Sequence, residues 1–350
     1  MSNIVSNKTE TDCNSDKKYF ISIILPCYNV DKYIEKALIS VINQTLKNIE
    51  IICINDGSKD KTLDIINEFA QNDNRIKVYT QENQGQGCAR NNGLKYANAP
   101  YVAFMDPDDW IDPEMYEKLY NLIISNNLDF VECDFIQYFE NSGELKNVKF
   151  NYPPPENKVF NYKDDKNYVF KGTSFSPCNK LFNKAFLLQN NIIFSDGKLS
   201  EDRIFTLKAK ILAKRISYIH HPYYFYRIRK GSSVNSLSKD SLYVEHIIHE
   251  LKEFMQSYSL TEYFADDIKN FVVELLVGHY NLCPAKYRKV FLSNVKKNVT
   301  KAEFREFYLK RNNDRRKKIE NLFCLRNKYK FGIKYKIITF LGLKFEFKIK

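Results

Sequence analysis

Asp106-Pro107-Asp108-Asp109 places three carboxylates in four positions, and Pro107 and Pro113 bar regular structure on either side of Trp110. Carboxylates this close repel one another unless a cation or a ring of donors offsets them. Hard oxygen ligands of this kind suit Mg²⁺ or Mn²⁺. Taken alone, the same residues also make an acidic turn with a helix N-cap. Asp56 ends a strand pattern and precedes Gly57. A lone acceptor there suits a base N–H or a ribose hydroxyl, or caps the next helix. Gly85-Gln86-Gly87 permits close backbone approach, and Arg90 follows within reach of a phosphate or of a surface ion pair. No GK[ST] follows, so this is not a Walker loop. Ser200-Glu201-Asp202 opens a helical pattern and by itself reads as an acidic first turn favoured by the helix dipole.

These residues need elements to position them. Phe20 to Leu25 is a continuous apolar run ended by Pro26, the mark of a central parallel strand. A helix over 31–45, a strand over 49–54, a helix over 62–70, a strand over 76–79, a helix within 85–96 and a strand over 101–105 follow. This alternation implies a mostly parallel sheet flanked by helices. Ligands of such sheets lie beyond the carboxyl ends of the strands, where Asp56, Asp106 and Asp108 converge. Further on, 116–124 reads as a helix and 128–133 as a strand. Residues 140–170 read as an irregular acceptor-side loop or insertion. Residues 176–182 precede a short helix and present Lys180 to a phosphate, an acceptor hydroxyl or solvent, and 216–219 reads as a short edge strand.

The chain has 350 residues and a net charge of +12. Residues 286–350 hold 21 Lys and Arg against 5 Asp and Glu, a balance of +16, whereas residues 1–285 hold 33 against 37. A basic tail on a near-neutral body points to an anionic partner for the tail alone. The eight cysteines form no CxxC pair, which suits reduced core thiols rather than a disulfide framework or a zinc site. No run of eighteen apolar residues exists. Residues 1–18 are polar without an apolar h-region and read as a disordered leader.

Five ordered blocks carry a resemblance: Ile21 to Asn29 (ISIILPCYN), Ser40 to Thr45 (SVINQT), Ile54 to Ser58 (INDGS), Gly85-x-Gly87-x-Ala89-Arg90-Asn91-x-Gly93, and Asp106-x-Asp108-Asp109. Together they resemble glycosyltransferase family 2 over about residues 19–115, and more loosely to about 235. The resemblance implies a GT-A fold, a nucleotide-sugar donor (here a UDP-sugar), a divalent metal and inversion at the anomeric carbon. By position, Pro26, Tyr28 and Asn29 would lie under the nucleotide, and Asp56 would face the base and ribose. Arg90 would approach the donor phosphates. Asp106 and Asp108 would form the DxD pair, with Asp108 the principal metal ligand and Asp106 near ribose or metal, or Asp109 would serve instead, since members of the family use this cluster differently. Asp202 would be the general base that takes the acceptor hydroxyl proton, and Glu201 would orient the acceptor or the helix. Arg227 and Arg229 would belong to a lid over the diphosphate, and Trp110 to the acceptor side. His220 or His221 would be a third metal ligand as in some relatives, or ordinary packing.

The expected organisation is a leader over 1–18, a GT-A domain over 19–235 (donor half 19–115, acceptor half 116–235), a helical basic region over 236–330 and a small amphipathic β-hairpin over 331–350. The basic and aromatic C-terminus suits an anionic inner-membrane surface on the cytoplasmic side, where a lipid-linked glycan acceptor would lie. Capsule, lipooligosaccharide or O-antigen synthesis is the expected setting. A nucleotidyltransferase would need a Gly-rich basic loop after the first strand, where Pro26-Cys27-Tyr28-Asn29 stands. A non-catalytic nucleic-acid-binding protein built on the tail has no recognised motif behind it, so no nucleic-acid partner is expected. An inactive sugar-binding relative would lack Asp106, Asp108 or Asp202.

Overall fold

Ile21–Cys27 (β1) is buried along its whole length, because its side chains serve two layers. Ile21, Ile23 and Leu25 point to one face, where they meet Ile34–Ile42 (α1) and Met115–Ser125 (α4). Ile24 points to the other, against Gln86–Tyr96 (α3). A strand buried on both faces has no reason to alternate polar and apolar residues, hence the unbroken apolar run.

The computed structural model describes residues 19–150, 152–195, 199–229, 239–330, 333–340 and 343–348, and side chains as far as Asn312. The chain divides into two compact units, Met1–Ser233 and Val234–Lys350. The expected leader lies outside the described residues.

The first unit carries a nine-stranded sheet. Ile49–Asn55 (β2), Ile76–Thr80 (β3) and Tyr101–Phe104 (β4) join β1 in parallel, with Thr62–Asn72 (α2) between β2 and β3. Beyond β4 the pairing changes. Lys180–Asn183 (β8) inserts antiparallel between β4 and Phe130–Phe139 (β6). Ile216–Ile228 (β9) runs parallel to β6 and also pairs antiparallel with Trp110–Ile111 (β5). Thus 216–219 is not an edge strand but the start of a 13-residue internal one. Its register against β6 shifts around Asp134, opposite His220 and His221. The 140–170 stretch holds the strand Glu144–Asn147 (β7) and a π-helical turn at Tyr168–Gly172.

Lys184–Gln189 (α5) and Glu201–Leu212 (α6) cover the second face. Under α6, Phe194 and Phe205 stack at 4.0 Å, and Phe104 meets both edge-on. Such aromatic pairs contribute about 0.5–1.5 kcal/mol each beyond their buried area. They fix the first turn of α6 over the end of β4.

The second unit holds Val244–Ser257 (α7), Ala265–Leu282 (α8), Arg288–Asn298 (α9) and Lys301–Leu322 (α10). Phe323–Lys330 (β10), Ile333–Phe340 (β11) and Leu343–Lys348 (β12) then form an antiparallel meander. The expected two-stranded tail therefore has a third strand, drawn from residues assigned above to the helical region. Arg326, Lys328 and Lys330 interrupt the apolar pattern there, while backbone pairing with β11 sets the strand. Among the described residues no helix is long and apolar enough to cross a membrane.

Candidate active site

The carboxyl ends of β1, β2 and β4 meet as the alternating pattern requires. The β1 and β2 loops are stitched together: Asp56 N–H donates to Cys27 O (2.8 Å), and Lys59 N–H to Asn29 Oδ1 (2.9 Å). Asn29 adopts a left-handed backbone at φ 51°, which Asn tolerates better than most residues. Pro26 is buried beneath this loop, while Tyr28 is 44% exposed at its tip.

Asp56 is not the open acceptor expected from the sequence. It is 2% exposed, and its carboxylate accepts from Gln81 Nε2, Gln84 N–H and Gly85 N–H at 2.8–2.9 Å. It ties down the loop that leads into α3. Gly85 at φ 91° starts that helix. Gly87 allows the helix to approach α6, since a Cβ there would lie 2.9 Å from both Glu201 Cγ and Ser195 O.

Arg90 likewise differs from expectation. It is 2% exposed, donating from Nη2 to Asp106 Oδ1 (2.6 Å) and from Nη1 to Glu201 Oε1 (3.0 Å). Burial opposes its charge, yet the Asp106 and Glu201 carboxylates hold it protonated. The guanidinium is committed to two side chains rather than open to a phosphate. Glu201 is itself fully buried, so it does not orient an acceptor directly. Burial and the adjacent Asp202 charge push its carboxyl up to about 7, with Arg90 opposing. Asp202, its neighbour on the first turn, stays partly exposed. Burial raises its carboxyl above the usual range, while the Arg203 and Arg90 charges pull the other way.

The three carboxylates of the acidic turn have three fates. Asp106 faces Arg90. Asp108 accepts from Arg229 Nε at Oδ2 (2.8 Å), and burial followed by the Asp106 charge raises its pKa. Asp109 is buried and built into the sheet: the Tyr224 hydroxyl donates to its Oδ2 (2.6 Å) and Arg227 N–H to its Oδ1 (2.7 Å). Asp109 therefore braces the turn against β9, and its oxygens are spent.

Trp110 stacks on Phe225 at 5.2 Å, with Lys36 Nζ 3.2 Å above its ring and the Arg227 guanidinium 5.0 Å away. Arg227 Nε also donates to Asp108 O (2.7 Å). Both arginines thus reach the acidic turn from the end of β9.

Lys180 does not reach the site surface. It is 0% exposed, paired at 2.9 Å with the equally buried Glu132, and donates to Ser174 O and Ser176 O. The acceptor role expected of it is overturned by burial inside the sheet. His220 sits against Pro154 O (2.9 Å) and Asp134 (3.5 Å), and His221 packs on Tyr223, so neither joins the acidic turn. Among the described residues no group of three or more His, Cys, Asp or Glu side chains forms a metal cage.

The sequence reading missed two positioning residues. Asn91 accepts from Phe194 N–H and donates to Phe194 O, clamping the approach to α6 onto α3. It stood inside a quoted block without a role. Tyr224 lies in the stretch from which the sequence singles out His220, His221, Arg227 and Arg229 alone.

The sequence pattern of the family described as Glycosyl transferase family 2 matches residues 22–189. EpsH of Bacillus subtilis, named as a glycosyltransferase, is 33% identical over 261 residues, 72% of this chain and 74% of its own length. Glycosyltransferase GlyA of Streptococcus pneumoniae is 36% identical over 222 residues, 61% of this chain but 31% of GlyA. Among solved structures, S. aureus TarS 1-349 in complex with UDP-GlcNAc is similar with a TM-score of 0.58 at 23% identity, over 94% of this chain and 99% of that one. That likeness speaks for the fold, and the EpsH identity for the lineage. By descent as well as architecture, this chain belongs to the family 2 glycosyltransferases and has the GT-A fold.

Proposed function

We propose that this glycosyltransferase moves a hexosyl or N-acetylhexosaminyl group from a UDP-sugar to a hydroxyl of a growing cell-surface glycan, with inversion at the anomeric carbon. The observation that carries this reading is the Arg90 bridge. One buried guanidinium joins Asp106, at the donor end of β4, to Glu201, beside Asp202 on α6. Donor carboxylates and a candidate base therefore share one site.

In the proposed reaction Asp202 accepts the acceptor hydroxyl proton. The oxygen attacks the anomeric carbon from the face opposite the diphosphate, and the bond from that carbon to the diphosphate oxygen breaks. The proton ends on Asp202 and the electron pair on the departing UDP. Burial lifts the Asp202 carboxyl, which makes it a better proton acceptor than a free aspartate. Pro26, Tyr28 and Asn29 frame the nucleotide, with Asp56 holding the loop beneath it.

The acidic turn fits a divalent cation. Arg90 and Arg229 each engage one oxygen of Asp106 and Asp108, leaving a second carboxylate oxygen on each, and the two charges repel. Mn²⁺ or Mg²⁺, completed by phosphate oxygens and water, would be held by these two residues. When bound it offsets charge developing on the leaving diphosphate.

Support for the substrate class comes from relatives. Poly(ribitol-phosphate) beta-glucosyltransferase of Bacillus spizizenii is 31% identical over 242 residues, 66% of this chain and 37% of its own length. TarS was solved with UDP-GlcNAc. We place the enzyme on the cytoplasmic face of the inner membrane from its basic C-terminal third, which would meet anionic lipid beside a lipid-linked acceptor.

The test is calorimetric binding of UDP, GDP, CDP and dTDP with Mn²⁺ and then EDTA, followed by turnover with the matching sugar nucleotide. UDP binding that EDTA abolishes is expected. Asp202→Asn should keep UDP affinity and lose about 10²–10⁴-fold in turnover. Binding of no nucleotide overturns the reading, and loss of UDP affinity in Asp202→Asn removes its role as base.

A further inference from the structure

The two carboxylates of the DxD pair have counter-ions of opposite character. Asp106 is paired with Arg90, a side chain 2% exposed, held between two carboxylates in mid-helix and unable to leave without stranding Glu201. Asp108 is paired with Arg229, which lies one residue beyond the end of β9. The Arg229 side chain is 18% exposed and uses only Nε, and its two Nη groups make no hydrogen bond among the described residues. Its guanidinium also lies over the Tyr33 ring, 4.7 Å away. One counter-ion is permanent and the other can be exchanged.

The pairing gives this exchange a direction. Arg90 is shared between Asp106 and Glu201, Asp108 has Arg229, and Asp109 is engaged with Tyr224 and the β9 backbone. A divalent cation entering the turn meets a guanidinium already seated on its principal ligand. A nucleoside diphosphate brings negative charge of its own, and the Nη edge of Arg229 is a bidentate donor for phosphate oxygens.

We propose that Arg229 is a tethered cation that competes with the divalent metal for Asp108 and yields it when a diphosphate draws the guanidinium away. This rests on Asp108 being the metal ligand, as set out above. Metal and nucleotide then bind cooperatively, and by linkage each raises the affinity of the other. Arg229 is a positioning residue here, since it acts on the metal through Asp108.

The test is a Mn²⁺ titration of the full chain without nucleotide, followed by electron paramagnetic resonance, on wild type, Arg229→Gln, Arg229→Lys and Asp108→Asn. UDP affinity is measured by calorimetry at saturating Mn²⁺. Thermal melts confirm that each variant is folded. Arg229→Gln should bind Mn²⁺ about tenfold more tightly than wild type and UDP about tenfold more weakly, within the usual range for coupled sites. Opposite signs are the signature, because mere structural damage weakens both. Arg229→Lys, which keeps the charge, should retain Mn²⁺ affinity near wild type. If Asp108→Asn loses Mn²⁺ binding while Arg229→Gln leaves it unchanged, the competition is overturned and the metal assignment stands. If Asp108→Asn binds Mn²⁺ as wild type does, the metal assignment itself fails and the proposal falls with it.

Discussion

Arg90 and Glu201 are 111 positions apart in the chain, yet they form a 3.0 Å ion pair in which neither side chain is open to solvent. The pair joins α3 to α6 at the point where the chemistry is proposed. Gly87 makes the approach possible, and Asn91 holds it through Phe194.

Removing Arg90 leaves two carboxylates, Asp106 and Glu201, without their shared cation. Arg90→Met should cost about 3–5 kcal/mol, as for other buried pairs deprived of one partner. The urea midpoint measures it. A loss below about 1 kcal/mol would mean that water or another cation takes over at the site.

Two buried groups set opposite pH slopes. Glu201 has its carboxyl pushed up to about 7 by burial and the Asp202 charge, from an ordinary 4.5. The folded protein keeps this proton where the unfolded chain has released it, so the contribution to stability falls as pH rises from about 4.5 to 7. Lys210 is 0% exposed, and burial lowers its ammonium from 10.5 to about 7, with Glu132 opposing and Lys180 adding. Here the unfolded chain holds the proton longer, so stability rises from about 7 to 10.5. Glu201→Gln should flatten the first limb and Lys210→Met the second in thermal melts from pH 5 to 10. Each limb spans a few kcal/mol, on the order of 1.4 per pKa unit. A variant whose slope matches wild type would remove that group from the account.

Lys180 is predicted to matter for stability and not for substrate. Lys180→Met strands Glu132 and should cost about 3–5 kcal/mol, while UDP affinity measured below the melting transition stays at the wild-type value. Weaker UDP binding at unchanged stability would return Lys180 to the site.

Gly93 packs α3 onto β1 so closely that a Cβ would fall inside the Ile24 side chain. Gly93→Ala should cost about 1–3 kcal/mol through overpacking. Combined with Ile24→Val the loss should be less than the sum of the two single losses, because the smaller side chain admits the methyl. Strict additivity would show that the helix shifts instead.

The first half of the sheet was legible because β1 and β2 are buried on both faces and α1 and α2 carry one apolar stripe. Ile21–Cys27 and Ile49–Asn55 have no polar positions to confuse the period, apart from Asn55 at the strand end and from Ser22 and Glu50, which bond each other at 2.6 Å. Beyond residue 115 the starts of β6 and β9 were legible and β8 was not. β8 begins with Lys180, and a lysine announces a surface until its partner Glu132 is seen on the neighbouring strand. β5, at Trp110–Ile111, is two residues long, below any periodic signal.

The site was legible in residue type and not in commitment. Asp56, Arg90, Asp106, Glu201 and Asp202 gather around the strand ends, but a sequence does not say which charges spend themselves on one another. Arg90 was read as facing a ligand because its two carboxylates lie 16 and 111 positions away. Asp109 had the same local credentials as Asp108, and their partners tell them apart: the Tyr224 hydroxyl and Arg227 N–H for Asp109, Arg229 for Asp108.

Asp109 and Tyr224 stand 115 positions apart and share one hydrogen bond across the seam between halves. Recombination among relatives, in nature or in the laboratory, therefore has a forbidden interval. A crossover placed between the acidic turn and β9 gives a chimera whose turn comes from one parent and whose brace comes from the other. The turn and the strand must be inherited together.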